Sequence, residues 1–101
     1  MTIIDCVEVW LNSLRGVLES AGTVTHFERT RDNRSKQSCA LNLRKHPVEV
    51  DFIVWDSGEA HLAIKQNAGV VTQEHFEGLG DPQALSAVLA RLITVIWVGN
   101  V

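Results

Sequence analysis

The sequence predicts an α+β domain of two layers: an N-terminal helix, an antiparallel meander of four or five strands, and a C-terminal helix, with both helices on one sheet face. Two observations carry this expectation. Apolar residues recur with a 3.6-residue period at both ends of the chain, and between those ends they alternate with polar residues across Gly-containing turns. The 101 residues suffice for a single domain, 1–101, with a modest core.

The first helix starts at Thr2, a capping-box residue with Asp5 three positions on, where a carboxylate favours a helix N-terminus. Ile3, Ile4, Val7, Trp10, Leu11, Leu14, Val17, Leu18 and Ala21 supply its apolar stripe, Glu8, Asn12, Arg15 and Glu19 its wet side, and Gly22 its C′ position. Thr23 to Arg31 is rich in Thr, Val and Phe without a helical stripe and reads as a strand, ended by the Asp32-Asn33-Arg34-Ser35 turn. Ser38 to Arg44 alternates, with Cys39, Leu41 and Leu43 on one face, before Lys45-His46-Pro47 interrupts it.

The central stretch, Val48 to Gln66, is a hairpin. Val48, Val50, Phe52 and Val54 share one parity on its first arm, Ala60, Leu62 and Ile64 share another on its second, and Asp56-Ser57-Gly58 turns between them. Asn67-Ala68-Gly69 makes a second turn into a strand from Val70 to Glu77. Asp81 followed by Pro82 opens the last helix as N-cap and first helical residue; Leu85, Val88, Leu89, Leu92, Ile93 and Ile96 are its buried stripe and Gly99-Asn100 its stop. Two helices on one face leave the other face for solvent, a dimer or a partner. Trp10 and Trp97, inside helices, are expected as core or core-edge anchors.

A composition of 46% hydrophobic and 21% charged residues is that of a soluble globular chain. No apolar run approaches the roughly 20 residues that span a bilayer. The first residues lack the features of a signal peptide, so a cytoplasmic location and no membrane contact are expected. Cys6 and Cys39 fit that compartment as reduced, buried small hydrophobes. The net charge is −3, unevenly spread: six basic residues and one acid lie between Arg29 and Lys45, and seven acids and one base between His46 and Asp81. Adjacent strands can let these charges neutralise one another, or the molecule can present an acidic side to a basic partner.

Few residues suggest chemistry. His61 and His75 could be cross-strand neighbours near Glu59, Glu74 and Glu77, but no HExxH, paired HxH or nucleophile elbow is present, and no glycine loop resembles a phosphate cradle. Neither catalysis, a cofactor nor a metal is therefore expected. The basic stretch lacks interleaved aromatics, which argues against direct nucleic-acid binding. The second hairpin face is more informative. Glu49, Asp51, Ile53 and Trp55 share it with Glu59 and His61, so that Ile53 and Trp55 form an apolar centre with a polar rim. Trp55 either anchors a partner there or packs on a neighbouring strand or loop.

The run Ile53-Val54-Trp55-Asp56-Ser57-Gly58-Glu59, the following strand with Leu62, the strand bearing His75 and the Leu-rich closing helix together resemble the TriTu family of immunity proteins. The likeness covers roughly Ser35 to Ile96, with a looser match at Trp10-Leu11. The chain departs from that pattern in having one His where a pair is common and fewer acids between Leu85 and Ile96. The resemblance implies a non-enzymatic inhibitor of a cognate bacterial toxin, a nuclease in many such systems, contacted through Trp55, Ile53, Glu49, Asp51, Glu59, His61 and His75. An acidic surface would speed encounter with a nuclease's basic cleft. The alternative expectation is a small dimeric chaperone or adaptor that takes a peptide or protein on the same face; a homodimer is compatible with either.

Overall fold

The computed structural model describes residues 2–33, 35–67 and 69–98, the side chains of Val70 and Val71 excepted. Helix α1 (Ile3–Ser20) is followed by strands β1 (Val24–Arg29), β2 (Ser38–Lys45), β3 (Val48–Trp55), β4 (Ala60–Gln66) and β5 (Gly69–Phe76), then helix α2 (Pro82–Val98). The strands form one antiparallel sheet in the order β1-β2-β3-β4-β5, an uninterrupted meander. The predicted α+β architecture is therefore the one observed. Arg34 of the first predicted turn, Ala68 of the second hairpin turn and the Gly99-Asn100 helix stop lie outside the described residues.

Local signals account for most boundaries. The capping box is formed, with the Asp5 N–H donating to Thr2 Oγ1 at 3.1 Å and the Thr2 N–H to Asp5 Oδ2 at 3.0 Å. Gly22, past the last turn of α1, has φ +93°, a conformation that glycine adopts without the penalty other residues meet. At the start of α2 the Gln83 N–H donates to Asp81 Oδ1 at 3.3 Å, so Asp81 caps as its position suggests. β1 is shorter than the Thr23–Arg31 reading: Thr23 still belongs to the helix exit, its N–H bonded to Leu18 O at 2.9 Å.

Alternation then decides the layers. Cys39, Leu41, Leu43, Val48, Val50, Phe52, Val54, Ala60, Leu62 and Ile64 are all buried on one face. The buried residues of α1 (Ile4, Val7, Leu11, Leu18) and of α2 (Leu85, Val88, Leu89, Leu92, Val95, Ile96) join them in one cluster. α1 packs mainly on β1 and β3, and α2 on β3 and β2. Burying side chains of this size stabilises by about 1.5 to 3 kcal/mol each relative to exposure, which is why the amphipathic helices both seek this face.

Four expectations about the helices need correction. Val17 is 56% exposed and Trp97 52% exposed, whereas Val95 is buried in place of the half-buried Ile93. Each helix buries a narrower stripe than its sequence offers, and residues at the stripe's margin turn outward. Trp97 instead lies beside Lys45, whose Nζ is 5.6 Å from its ring centre. Trp10 does pack at the core edge. Glu8, expected on the wet side of α1, is half-buried and pairs with Arg29 of β1 at 2.8 Å.

Candidate functional site: the open sheet face

With both helices on one side, no layer of the described residues covers the sheet's other face. Register sets what stands there. One row runs straight across all five strands through Glu28, Ala40, Ile53, His61 and His75. The next runs through His26, Asn42, Asp51, Ala63 and Gln73, and a third through Val24, Arg44, Glu49 and Lys65. Trp55 follows Ile53 on the same face, opposite Ser38.

All seven residues singled out in the sequence thus belong to one surface. Ile53 is 36% exposed, because its direct neighbour on β2, Ala40, is too short to shelter it. Trp55 is half-buried. Lys36 lies over its ring with Nζ 5.6 Å from the ring centre and also reaches Glu59 Oε1 at 3.8 Å. A cation over an exposed aromatic face is worth about 0.5 to 1 kcal/mol, enough to orient the indole without hiding it. His61 and His75 are direct cross-strand partners, and His75 Nε2 is 3.9 Å from Glu77 Oε1. Glu74, also grouped with these histidines in the sequence reading, belongs to the covered face, where it pairs with Arg91 of α2. Alternation along β5 makes that separation unavoidable.

The acids are less free than the residue count suggests. Asp51 Oδ2 is 3.0 Å from Lys65 Nζ, and Asp51 Oδ1 accepts from Asn42 Nδ2 at 2.7 Å. The same Asn42 amide donates to Glu49 Oε2 at 2.8 Å. As hydrogen-bond acceptor and then by its charge, Asp51 holds the Lys65 ammonium above its ordinary pKa. Charge on this face is therefore sorted along the strands. Asp56, Glu59 and Glu77 stand at the end where β3 and β5 finish, and Arg44, His46 and Lys65 at the opposite end. Neutralisation across strands is realised at both ends, by Lys65 with Asp51 and by Lys36 with Glu59, with acids in excess at the Trp55 end of β3–β5.

The residues singled out in the sequence omit Asn42, Arg44 and Lys36, which also belong to this face. The parity of β2 was the available signal: Ala40, Asn42 and Arg44 alternate with the buried Cys39, Leu41 and Leu43. Lys36, in a loop, had none.

In chemical terms the face offers an apolar centre, aromatic area and charges of both signs. Among the described residues no group of three or more His, Cys, Asp or Glu side chains is placed to hold a metal ion. Cys39 is buried on the covered face, away from the histidine pair, and both cysteines are free thiols. No helix of the described residues is long and apolar enough to cross a membrane. Compared with family models, curated proteins and solved structures, the chain finds no match.

Proposed function

We propose that this chain is a protein-binding domain that docks its partner on the open face of the sheet, and that it serves as an immunity protein neutralising a cognate bacterial toxin in the cytoplasm of the producing cell. One observation carries the docking part: a five-stranded sheet sends both helices to one side and leaves Ile53 and Trp55 adjacent on the other. An apolar centre ringed by polar side chains is the anatomy of interfaces in which a few anchors supply most of the energy. The resemblance of the Trp55-Asp56-Ser57-Gly58-Glu59 segment to TriTu immunity proteins supports the toxin part. A basic nuclease cleft would meet the Trp55 end, where Asp56, Glu59 and Glu77 stand, and not the centre, where Lys65 already answers Asp51.

The test uses three baits in the native host: the wild type, Ile53→Asp on the open face, and Val17→Asp on the exposed side of α1. Each captured protein is identified and expressed with and without this chain. A toxin captured by wild type and Val17→Asp, lost with Ile53→Asp, and neutralised by co-expression supports the proposal. Equal capture by all three baits removes the open face from it, and a captured protein that is not toxic removes the immunity role. A homodimer broken by Ile53→Asp would assign the face to self-association.

A further inference from the structure

At the end of the sheet opposite Trp55 lies a groove of about 690 Å³, within the size range of small-ligand sites. Its walls come from distant parts of the chain, brought together by register. Arg44 ends the open-face row of β2, Glu49 begins that of β3, and Lys65 ends that of β4, with Arg44 opposite Glu49 and Glu49 opposite Lys65. His46 comes from the β2–β3 turn, and Val24 and Pro47 give it an apolar side.

The polar partners in this groove are unevenly satisfied. Lys65 reaches Asp51, and Glu49 accepts from Asn42. Arg44 is exposed and its side chain makes, among the described residues, neither a hydrogen bond nor an ion pair. Its fixed fork of donors therefore stands unused in a concave site that holds a second cation, an imidazole and a single acid. An ammonium has three donors, so Lys65 can serve a ligand while it keeps Asp51. A guanidinium matches the two oxygens of a carboxylate or phosphate, and such charge-assisted pairs are about twice as strong as neutral ones.

From this arrangement we infer that the groove is an oxyanion-binding site in which Arg44 is the principal ligand, Lys65 and His46 assist, and Glu49 limits affinity. The ligand class is a carboxylate or phosphate group carried on a short apolar stem that lies along Val24 and Pro47. The inference is independent of the partner proposed for the Trp55 end, since it concerns a free anion and the isolated chain.

The experiment follows backbone amide resonances of the isolated protein during titration with inorganic phosphate and, separately, with glutarate, at constant ionic strength against sodium chloride. Glutaramide, of the same shape without charge, is the control. Saturable shifts at residues 44–49 and 65–67, with half-saturation on the order of 1 to 10 mM, are expected. Saturation by glutarate alone assigns a carboxylate ligand, by phosphate alone a phosphate ligand, and by both a general oxyanion. Arg44→Gln should weaken binding at least about tenfold, the loss of a hydrogen bond to a charged group. Glu49→Gln should strengthen it several-fold, a gain that damage to the fold would not produce. Shifts that sodium chloride or glutaramide reproduces, or that neither variant alters in a well-folded protein, overturn the inference.

Discussion

Asp5 and Arg29 join the start of the first helix to the end of the first strand: Arg29 Nη1 donates to Asp5 Oδ1 at 2.8 Å while the other Asp5 oxygen accepts the Thr2 N–H. One carboxylate thus completes a local cap and a tertiary ion pair, and Arg29, its side chain 20% exposed, also binds Glu8 at 2.8 Å. The Thr2 backbone N–H, then the Arg29 guanidinium, then the Thr2 hydroxyl hold the Asp5 carboxyl down at about 2, from an ordinary 3.8.

Acid sensitivity follows from this. A carboxyl whose pKa is lower in the folded state contributes stability above its unfolded value and loses it as pH falls through the folded one. Stability should therefore be level in this contribution above pH 4 and fall between 3.8 and about 2. Urea midpoints across pH 2 to 7 would measure it. Asp5→Asn should be less stable at neutral pH and show a shallower decline in that window; an unchanged slope would leave Asp5 without a role in acid unfolding.

Gly58 should tolerate no side chain. It is buried with φ +92°, its carbonyl accepts the Leu79 N–H at 3.0 Å, and an added Cβ would lie 3.0 Å from the Gly80 nitrogen. Backbone strain and backbone contact act together, so Gly58→Ala should cost about 2 to 3 kcal/mol in denaturant unfolding. Gly22, also at positive φ but with open space around it, should cost less on the same change.

Phe52 and Trp55 should separate stability from binding. Phe52 is fully buried beneath the helices, and Phe52→Ala should remove about 3 to 5 kcal/mol of stability as a core cavity. Trp55→Ala should lower stability by less than this, about 1 to 2 kcal/mol, from the half-buried indole surface and the lost Lys36 contact. Its effect on affinity for the partner should be about 2 to 4 kcal/mol, as for hot-spot aromatics. Thermal melts and calorimetric titration would distinguish the two, and a Trp55→Ala protein that unfolds with its affinity intact would place Trp55 in the core.

Thr23 offers a stabilising change. Its hydroxyl is buried and has no hydrogen-bond partner among the described residues. Thr23→Val keeps the shape and removes the unsatisfied group, which should raise stability by about 1 kcal/mol in urea unfolding.

Cys39 should be slow to alkylate. Burial against the helices is the main cause that pushes its thiol up to about 11, so little thiolate forms near neutral pH. Iodoacetamide should modify it at pH 8 only after unfolding; rapid labelling of the native protein would show that the β2 core opens.

By itself the sequence determined both helices and a meander of four or five strands, because periods of 3.6 and 2 are written into neighbouring residues and select which face each element can bury. It also determined that Ile53, Trp55, Glu49, Asp51, Glu59 and His61 share a face, since they alternate within one hairpin, whereas the β4–β5 register of the structure brought His75 to it. The tertiary structure decided what no local period encodes. How far each helix rolls on the sheet turned Val17 and Trp97 outward and Val95 inward. Strand and helix packing gave Asp51 to Lys65, Glu74 to Arg91 and Arg29 to α1, and so neutralised part of an apparent acidic block. The Arg44 groove is of the same kind: residues far apart in sequence converge because five strands pair in one register, and that pairing is a property of the whole chain.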